Sequence, residues 1–150
     1  MNDEKYMRRA LELAAAAAEN GDVPVGCVVV SAHGEIIGEG YNGREKENSA
    51  TAHAEITAIE RACAALGAWR LEGCALYVTL EPCAMCAGAI INSRISRVIY
   101  GAKEPHTGAS GSVINLFVEY EAPTAVFGGI LESECAVILE EFFKGIRNAE

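Results

Sequence analysis

Two short stretches of the chain concentrate the residue types that hold a metal ion. Thr51-Ala52-His53-Ala54-Glu55 contains a His-x-Glu, and Glu81-Pro82-Cys83-Ala84-Met85-Cys86 contains a Pro-Cys-x-x-Cys. Each falls where a helix is expected to begin. Cys83 and Cys86 are three apart, so both thiols project from one side of a single helical turn and can grip a tetrahedral ion. The free N–H groups and positive dipole end of that turn favour ionised sulfur, and a metal favours it further. His53 offers a third ligand from the start of a neighbouring helix, while Glu55, although close, suits proton transfer better than ligation. Three protein ligands leave one position of a zinc ion open. A closed structural site would need a fourth, and Cys63 or Cys74, which would have to supply it, belong to neither motif. Water in the open position is acidified to a pKa near ~7 and becomes a nucleophile at neutral pH. Zn²⁺ with two thiolates is formally neutral, which leaves that nucleophile more negative character than three histidines would and suits addition to a heteroaromatic carbon. The bland alternatives are packing residues, a redox Cys-x-x-Cys or half of a zinc knuckle. A knuckle's second Cys-x-x-Cys or Cys-x-x-His pair is missing.

The elements that must position these side chains are legible in outline. Asn2 or Asp3 can cap a first helix running to Asn20, with Gly21 as its stop and an apolar stripe of Tyr6, Ala10, Leu13, Ala14 and Ala17. Val25 to Ser31 and Glu35 to Tyr41 read as two strands joined by a turn at His33-Gly34. Ser49 or Thr51 is the expected cap of a second helix reaching Leu66, with Gly67 beyond. Ala75 to Leu80 is an apolar strand, and Pro82 is expected to start a third helix, since a proline at the first helical position loses no useful N–H. Arg97 to Gly101 and Thr124 to Phe127 are the remaining strands, with a Gly/Ser-rich loop over residues 102 to 112 between them and an amphipathic helix over Glu134 to Arg147 at the end. Strand-helix alternation after a hairpin implies a three-layer α/β/α sandwich around a mixed, largely parallel sheet of five strands.

Composition sets the broad class. The chain has 150 residues, 51% of them hydrophobic, and carries 12 Lys+Arg against 21 Asp+Glu for a formal charge of −9. A chain of this size buries roughly two-thirds of the surface its unfolded form exposes, so the core needs no structural metal and a metal here is expected to be functional. Nothing splits residues 1–150 into more than one domain. No run approaches the ~20 apolar residues of a membrane helix, and the polar start Met1-Asn2-Asp3-Glu4-Lys5 lacks the features of a secretory signal, so a cytoplasmic protein without a membrane partner is expected. In a reducing compartment, six cysteines point to thiol, metal or catalytic roles rather than disulfides. Cys27, Cys63 and Cys135 read as small core residues, and Met85 and Trp69 as packing. Phe142 and Phe143 suit a core face or a partner contact, and the sequence does not divide the two. The acidic balance disfavours broad nucleic-acid binding, but Arg44, Lys46, Arg70, Arg94, Arg97 and Lys103 are enough for a compact basic patch.

The motifs resemble those of the cytidine-deaminase-like zinc hydrolases and, within them, the bacterial tRNA adenosine deaminases that convert the wobble adenosine to inosine. The resemblance spans nearly the whole chain. It includes Val23-Pro24-Val25-Gly26, Gly40-Tyr41-Asn42, Trp69-Arg70-Leu71, Tyr77-Val78-Thr79-Leu80, Cys86-Ala87-Gly88-Ala89-Ile90, Ser93-Arg94-Ile95 and Gly101-Ala102 besides the two metal motifs. It implies that His53, Cys83 and Cys86 hold Zn²⁺, that hydroxide attacks C6 of adenine, and that Glu55 carries protons from water to ring N1 and then to the departing amine. It also implies that Asn42 hydrogen-bonds the flipped nucleotide, where the residues alone equally allow a turn-forming Asn before Gly43. Backbone at Ala54 and the side chain of Val25 complete the family's pocket, and the loop Lys103-Glu104-Pro105-His106-Thr107-Gly108-Ala109-Ser110-Gly111-Ser112 sits where it contacts the nucleic-acid strand, with Lys103 and Glu104 as substrate-side candidates. That loop is no phosphate loop, since no Gly-Lys-Ser/Thr follows. Where many members carry an Asn-His pair and a basic tail, this chain has Glu119-Tyr120-Glu121-Ala122-Pro123-Thr124 and ends at Glu150. The partners implied are a tRNA anticodon loop and a second copy in a homodimer, for which the apolar run Ala84 to Ile91 is the sequence support. Deamination of a free base or nucleoside, and a noncatalytic zinc module, are the competing functions.

Overall fold

The structure is a computed structural model and describes residues 2–149. Helix α1 (Asp3–Glu19) precedes strands β1 (Gly26–Val30) and β2 (Ile36–Tyr41). Then follow α2 (Arg44–Glu47), α3 (Ala54–Leu66), β3 (Ala75–Leu80), α4 (Ala84–Asn92), β4 (Arg97–Ala102), α5 (Leu116–Glu119), β5 (Ala125–Gly128) and α6 (Glu132–Ala149). The strands form one sheet in the order β2-β1-β3-β4-β5. The sheet is mixed as expected, but its parallel half is confined to β3, β4 and β5, because β1 runs antiparallel to β3 as well as to β2.

Alternation along the strands builds a core on each face. Cys27, Val29, Leu76, Val78 and Val98 point toward the layer of α3, α4 and α5, where Ala58, Ala62, Ala87 and Ile90 meet them. Val28, Val30, Tyr77 and Ile99 point the other way, toward Tyr6, Met7, Ala10 and Leu13 of α1 and Cys135 of α6. The stripe expected on α1 is the buried face observed, with Met7 added. Close approach of α3 to β2 depends on Gly38 and Gly40: a Cβ at either would collide with the α3 backbone, at the carbonyls of Ala58 and Ala54 respectively. This contact sets the position of the helix end that carries His53 and Glu55.

Three expected helix starts move. The second long helix starts at Ala54, with His53 as its cap in an extended conformation, and not from Ser49 or Thr51. Those two hydroxyls meet each other at 3.4 Å in an exposed turn. The residues before them form the separate turn α2, whose Glu45 and Lys46 N–H groups are taken by the buried carboxylate of Asp22. Pro82 lies one residue outside α4, which is capped by Cys83. Helix α6 begins at Glu132, two residues before the expected Glu134. Helix α5 was not expected; Asn115 caps it by accepting from the Val118 N–H at 3.3 Å.

Candidate active site

Helices α3 and α4 each open with a residue that is a metal ligand by type rather than a good helix cap. His53 (φ −86°, ψ 152°) and Cys83 (φ −76°, ψ 178°) are both extended, and neither side chain makes a capping hydrogen bond. Both are therefore free to turn toward a common point, which Cys86, one turn into α4, also reaches. His53 Nδ1 lies 3.7 Å from Cys83 Sγ and 3.5 Å from Cys86 Sγ. The three ligand atoms fall within 4.8 Å of one another, and they are the sole such His/Cys/Asp/Glu group among the described residues. With Zn–S near 2.3 Å and Zn–N near 2.0–2.1 Å, a tetrahedral ion requires S···N separations of about 3.5 Å. The donor set thus fits zinc in both chemistry and spacing. Neither Cys63 nor Cys74 joins it.

The electrostatics agree with that spacing. The Cys86 thiol donates toward Cys83, which, with His53 alongside, outweighs burial and brings the Cys83 thiol down to about 3. His53 is raised, chiefly by its contact with the Cys83 sulfur. Glu55, in the first turn of α3, is 4% exposed, and burial pushes its carboxyl up to about 7. That is the condition in which a carboxyl can both take and give a proton near neutrality.

A cavity of about 240 Å³ opens above these groups. His53, Ala54, Glu55 and Cys83 form its floor, and Val23, Val25 and Leu80 its apolar sides. Asn42, Arg44, Glu104, Thr107 and Phe143 stand around the rim. Val25, Asn42, Ala54 and Glu104 therefore meet where the sequence places them. Lys103 does not: it lies on the adjoining groove between residues 103–106 and α6. The Asn42 amide donates to the Val23 carbonyl at 3.1 Å and accepts from the Arg44 N–H at 3.3 Å, so it is both a turn-forming residue and a wall of the cavity. Phe143 is 43% exposed on the rim and edge-to-face with Phe142, at 5.5 Å between ring centres.

Two residues escaped the sequence reading. Asp22, 1% exposed, accepts from the Glu45 N–H at 2.7 Å and the Lys46 N–H at 3.3 Å, fastening the rim at Asn42 and Arg44. Glu81, 2% exposed, also lines the cavity and accepts from the Glu104, Ser110 and Ser112 N–H groups on the opposite rim. The Glu-Pro-Cys run was the one available sign of Glu81; Asp22 left none. Two expectations also fail. Trp69 is 56% exposed with the guanidinium groups of Arg70 and Arg94 at 4.8 and 5.7 Å from its ring, so it is not a packing residue, and Met85 also reaches the surface. The six basic residues do not form one patch. Arg44 and Lys103 lie at the cavity end of the sheet, whereas Arg97 pairs with Ala75 at the start of β3, the opposite end, where Arg94 also lies.

Residues 1–102 match the family described as the cytidine and deoxycytidylate deaminase zinc-binding region. A tRNA-specific adenosine deaminase of Bacillus subtilis is 49% identical over 147 residues, covering 97% of this chain and 91% of the relative. A solved structure from studies of A-to-I editing by tRNA:A34 deaminases at the wobble position superposes with a TM-score of 0.86 at 45% identity, over 90% of this chain and 99% of the other. A guanine deaminase of Nitrosomonas europaea gives 0.82 at 26% identity, over 93% and 83%. With zinc-compatible ligands at two helix starts, a buried glutamate beside them and this degree of likeness, the chain belongs to the zinc-dependent cytidine and deoxycytidylate deaminase family, on the branch of the tRNA-specific adenosine deaminases.

Proposed function

We propose that this chain is a zinc-dependent hydrolase that deaminates adenosine to inosine at the wobble position of a tRNA anticodon loop, acting as one deaminase domain over residues 1–150. The observation that carries the reading is the joining of near-full-length likeness to tRNA-specific adenosine deaminases with a complete His-Cys-Cys group and a buried Glu55 at the base of one cavity.

His53, Cys83 and Cys86 would hold the ion. When bound, zinc supplies water acidified enough to act as a nucleophile near neutral pH. The reaction forms a C–O bond at C6 of adenine and breaks the C–N bond to the amine, which leaves as ammonia. Glu55 takes one proton from the water and delivers it to ring N1 so that C6 becomes electrophilic, then takes the second from the oxygen newly bonded to C6 and gives it to the amine as it departs. Val25 and Leu80 exclude water from the faces of the ring, and Asn42 and the backbone at Ala54 orient it. The cavity, at about 240 Å³, is smaller than the ~300–1,000 Å³ of pockets for drug-sized ligands. It accommodates one extruded base and leaves the rest of a polynucleotide on the rim, where Arg44, Glu104, Thr107 and Phe143 stand. An anticodon loop already holds its bases outside a regular duplex, which lowers the cost of extrusion.

The working form is a homodimer. Supporting this, α4 leaves Met85 at the surface, and α5, packed against it, leaves Val118 67% exposed. Light scattering at micromolar concentration is expected to give twice the chain mass. No helix among the described residues is long and apolar enough to cross a membrane, and a tRNA substrate assigns the enzyme to the cytoplasm.

Parallel kinetics on an anticodon stem-loop and on free adenosine, cytidine and guanine test the substrate. Inosine should form in the stem-loop with little turnover of the free compounds, and binding should weaken with salt at a slope of about −0.7 per phosphate contacted. Efficient, salt-insensitive turnover of a free base with none on the stem-loop would assign the chain to base metabolism, the activity of the guanine deaminase it superposes on.

A further inference from the structure

The ten residues Lys103 to Ser112 contribute Glu104 and Thr107 to the cavity rim, yet they have no regular secondary structure beyond one isolated bridge at Ser110. Their shape is set by one side chain outside the loop. The Glu81 carboxylate accepts from the Glu104 N–H at 3.1 Å, the Ser110 N–H at 3.0 Å, the Ser112 N–H at 3.1 Å and the Ser112 hydroxyl. No cation pairs with it among the described residues. A buried carboxylate without a counter-ion is tolerated only when donors surround it, and here every donor comes from this loop. Main-chain bonds run alongside: the Glu81 N–H donates to the Ala102 carbonyl and the Ala109 N–H to the Pro82 carbonyl, both at 2.8 Å. Gly108 packs directly on the carboxylate, so that a Cβ there would fall 2.5 Å from Glu81 Oε2. The loop also buries the Ser110 hydroxyl without a partner, a cost that the Glu81 bonds must offset.

Glu81 lies two residues before Cys83, so the carboxylate connects the ligand-bearing segment to the substrate-facing rim. We propose that Glu81 is a positioning residue that presets the 103–112 loop for the polynucleotide strand, and thereby governs substrate affinity at the rim rather than the chemistry on the floor. The proposal deepens the tRNA deaminase reading and rests on it. Without these bonds the loop samples many shapes, and substrate must order it on binding. Apparent affinity then falls by the fraction of time the competent shape is populated. His53 and Glu55 come from α3, which takes no part in these bonds, so turnover of bound substrate falls less than affinity does.

The test compares wild type, Glu81→Gln, Ser112→Ala and Gly108→Ala for zinc per chain, kcat and KM on the anticodon stem-loop. Glu81→Gln should keep about one zinc per chain and raise KM by about tenfold, with kcat falling by less than KM rises. Ser112→Ala, which removes one donor of four, should shift KM in the same direction by less. Gly108→Ala, which keeps the Glu81 side chain and the ligands but drives a Cβ against the Glu81 carboxylate and the Glu104 carbonyl, should reproduce the KM effect even if Glu81→Gln folds poorly. In hydrogen exchange, the amides of Glu104, Ser110 and Ser112 should lose protection in Glu81→Gln while those of α3 keep theirs. Unchanged KM in the zinc-loaded variants, or a fall confined to kcat, would overturn the proposal. Failure of the substrate reading is distinguishable because it shows in the wild type, as turnover of a free base; a variant-to-wild-type KM ratio of one on the substrate actually used would then overturn the Glu81 proposal too.

Discussion

The cavity floor and the ligand group beneath it draw His53, Glu55, Cys83 and Cys86 from the starts of α3 and α4, whereas the rim draws Asn42, Glu104 and Thr107 from irregular backbone, Arg44 from the single turn α2 and Phe143 from α6. The two are stabilised differently. The floor groups sit within three residues of one another on α3 or α4, and each helix is fixed by close packing on the sheet, α3 through Gly38 and Gly40 of β2. The rim segments are irregular, and each is fastened by one buried carboxylate, Asp22 on the Asn42 side and Glu81 on the Glu104 side, the latter loop also burying Ala109 in the core. The difference teaches a division of labour. Chemistry is placed on rigid elements, and recognition on loops whose shape depends on a few long-range hydrogen bonds.

That division can be broken at its strongest point first. Cys86→Ala removes one of three ligands, and metal analysis should show zinc occupancy collapse with turnover reduced to background; full occupancy would mean that the floor is not the metal site. Glu55→Gln should lower turnover by about 10²–10⁴ with zinc retained, since Glu55 is outside the three-atom ligand group. Loss of metal in that variant would make Glu55 a ligand and erase the contrast between proton carrier and metal holder. Asp22→Ala probes the rim: two N–H groups lose their acceptor, so stability in thermal denaturation should fall by about 1–3 kcal/mol, with KM on the stem-loop rising more than kcat falls. An equal fall in both parameters would show that the Asn42 side serves the chemistry directly. The smallest effect is expected from Lys103→Ala, beyond the cavity on the adjoining groove. If Lys103 meets one phosphate, the salt slope should shrink by about 0.7 with little change at fixed salt, and an unchanged slope would remove Lys103 from the substrate path.

Legibility in the sequence follows the same division. The metal and proton-carrying residues were readable because a helical turn brings residues three apart together wherever the helix lies, and because His, Cys and Glu carry few roles in common. The α1 stripe was readable as periodicity, and the five strands as short apolar runs separated by turns and helices. Helices α2 and α5, of four residues each, were missed because such lengths show no periodicity and exist only where Asp22 or Asn115 captures their first N–H groups. Trp69 looked like core by type and lies at the surface between two arginines.

By itself, then, the sequence determined the candidate donor set, the proposed acid/base residue and the elements that bear them, since each depends on spacing within one turn or one strand. Tertiary structure alone decided that β1 lies antiparallel to β3, that Arg97 and Lys103 fall at opposite ends of the sheet, and that Asp22 and Glu81 reach loops 23 or more residues away. The physical reason is range. A buried carboxylate takes whichever N–H groups the packed layers bring within 3 Å or so, and nothing in the local chain records which those will be.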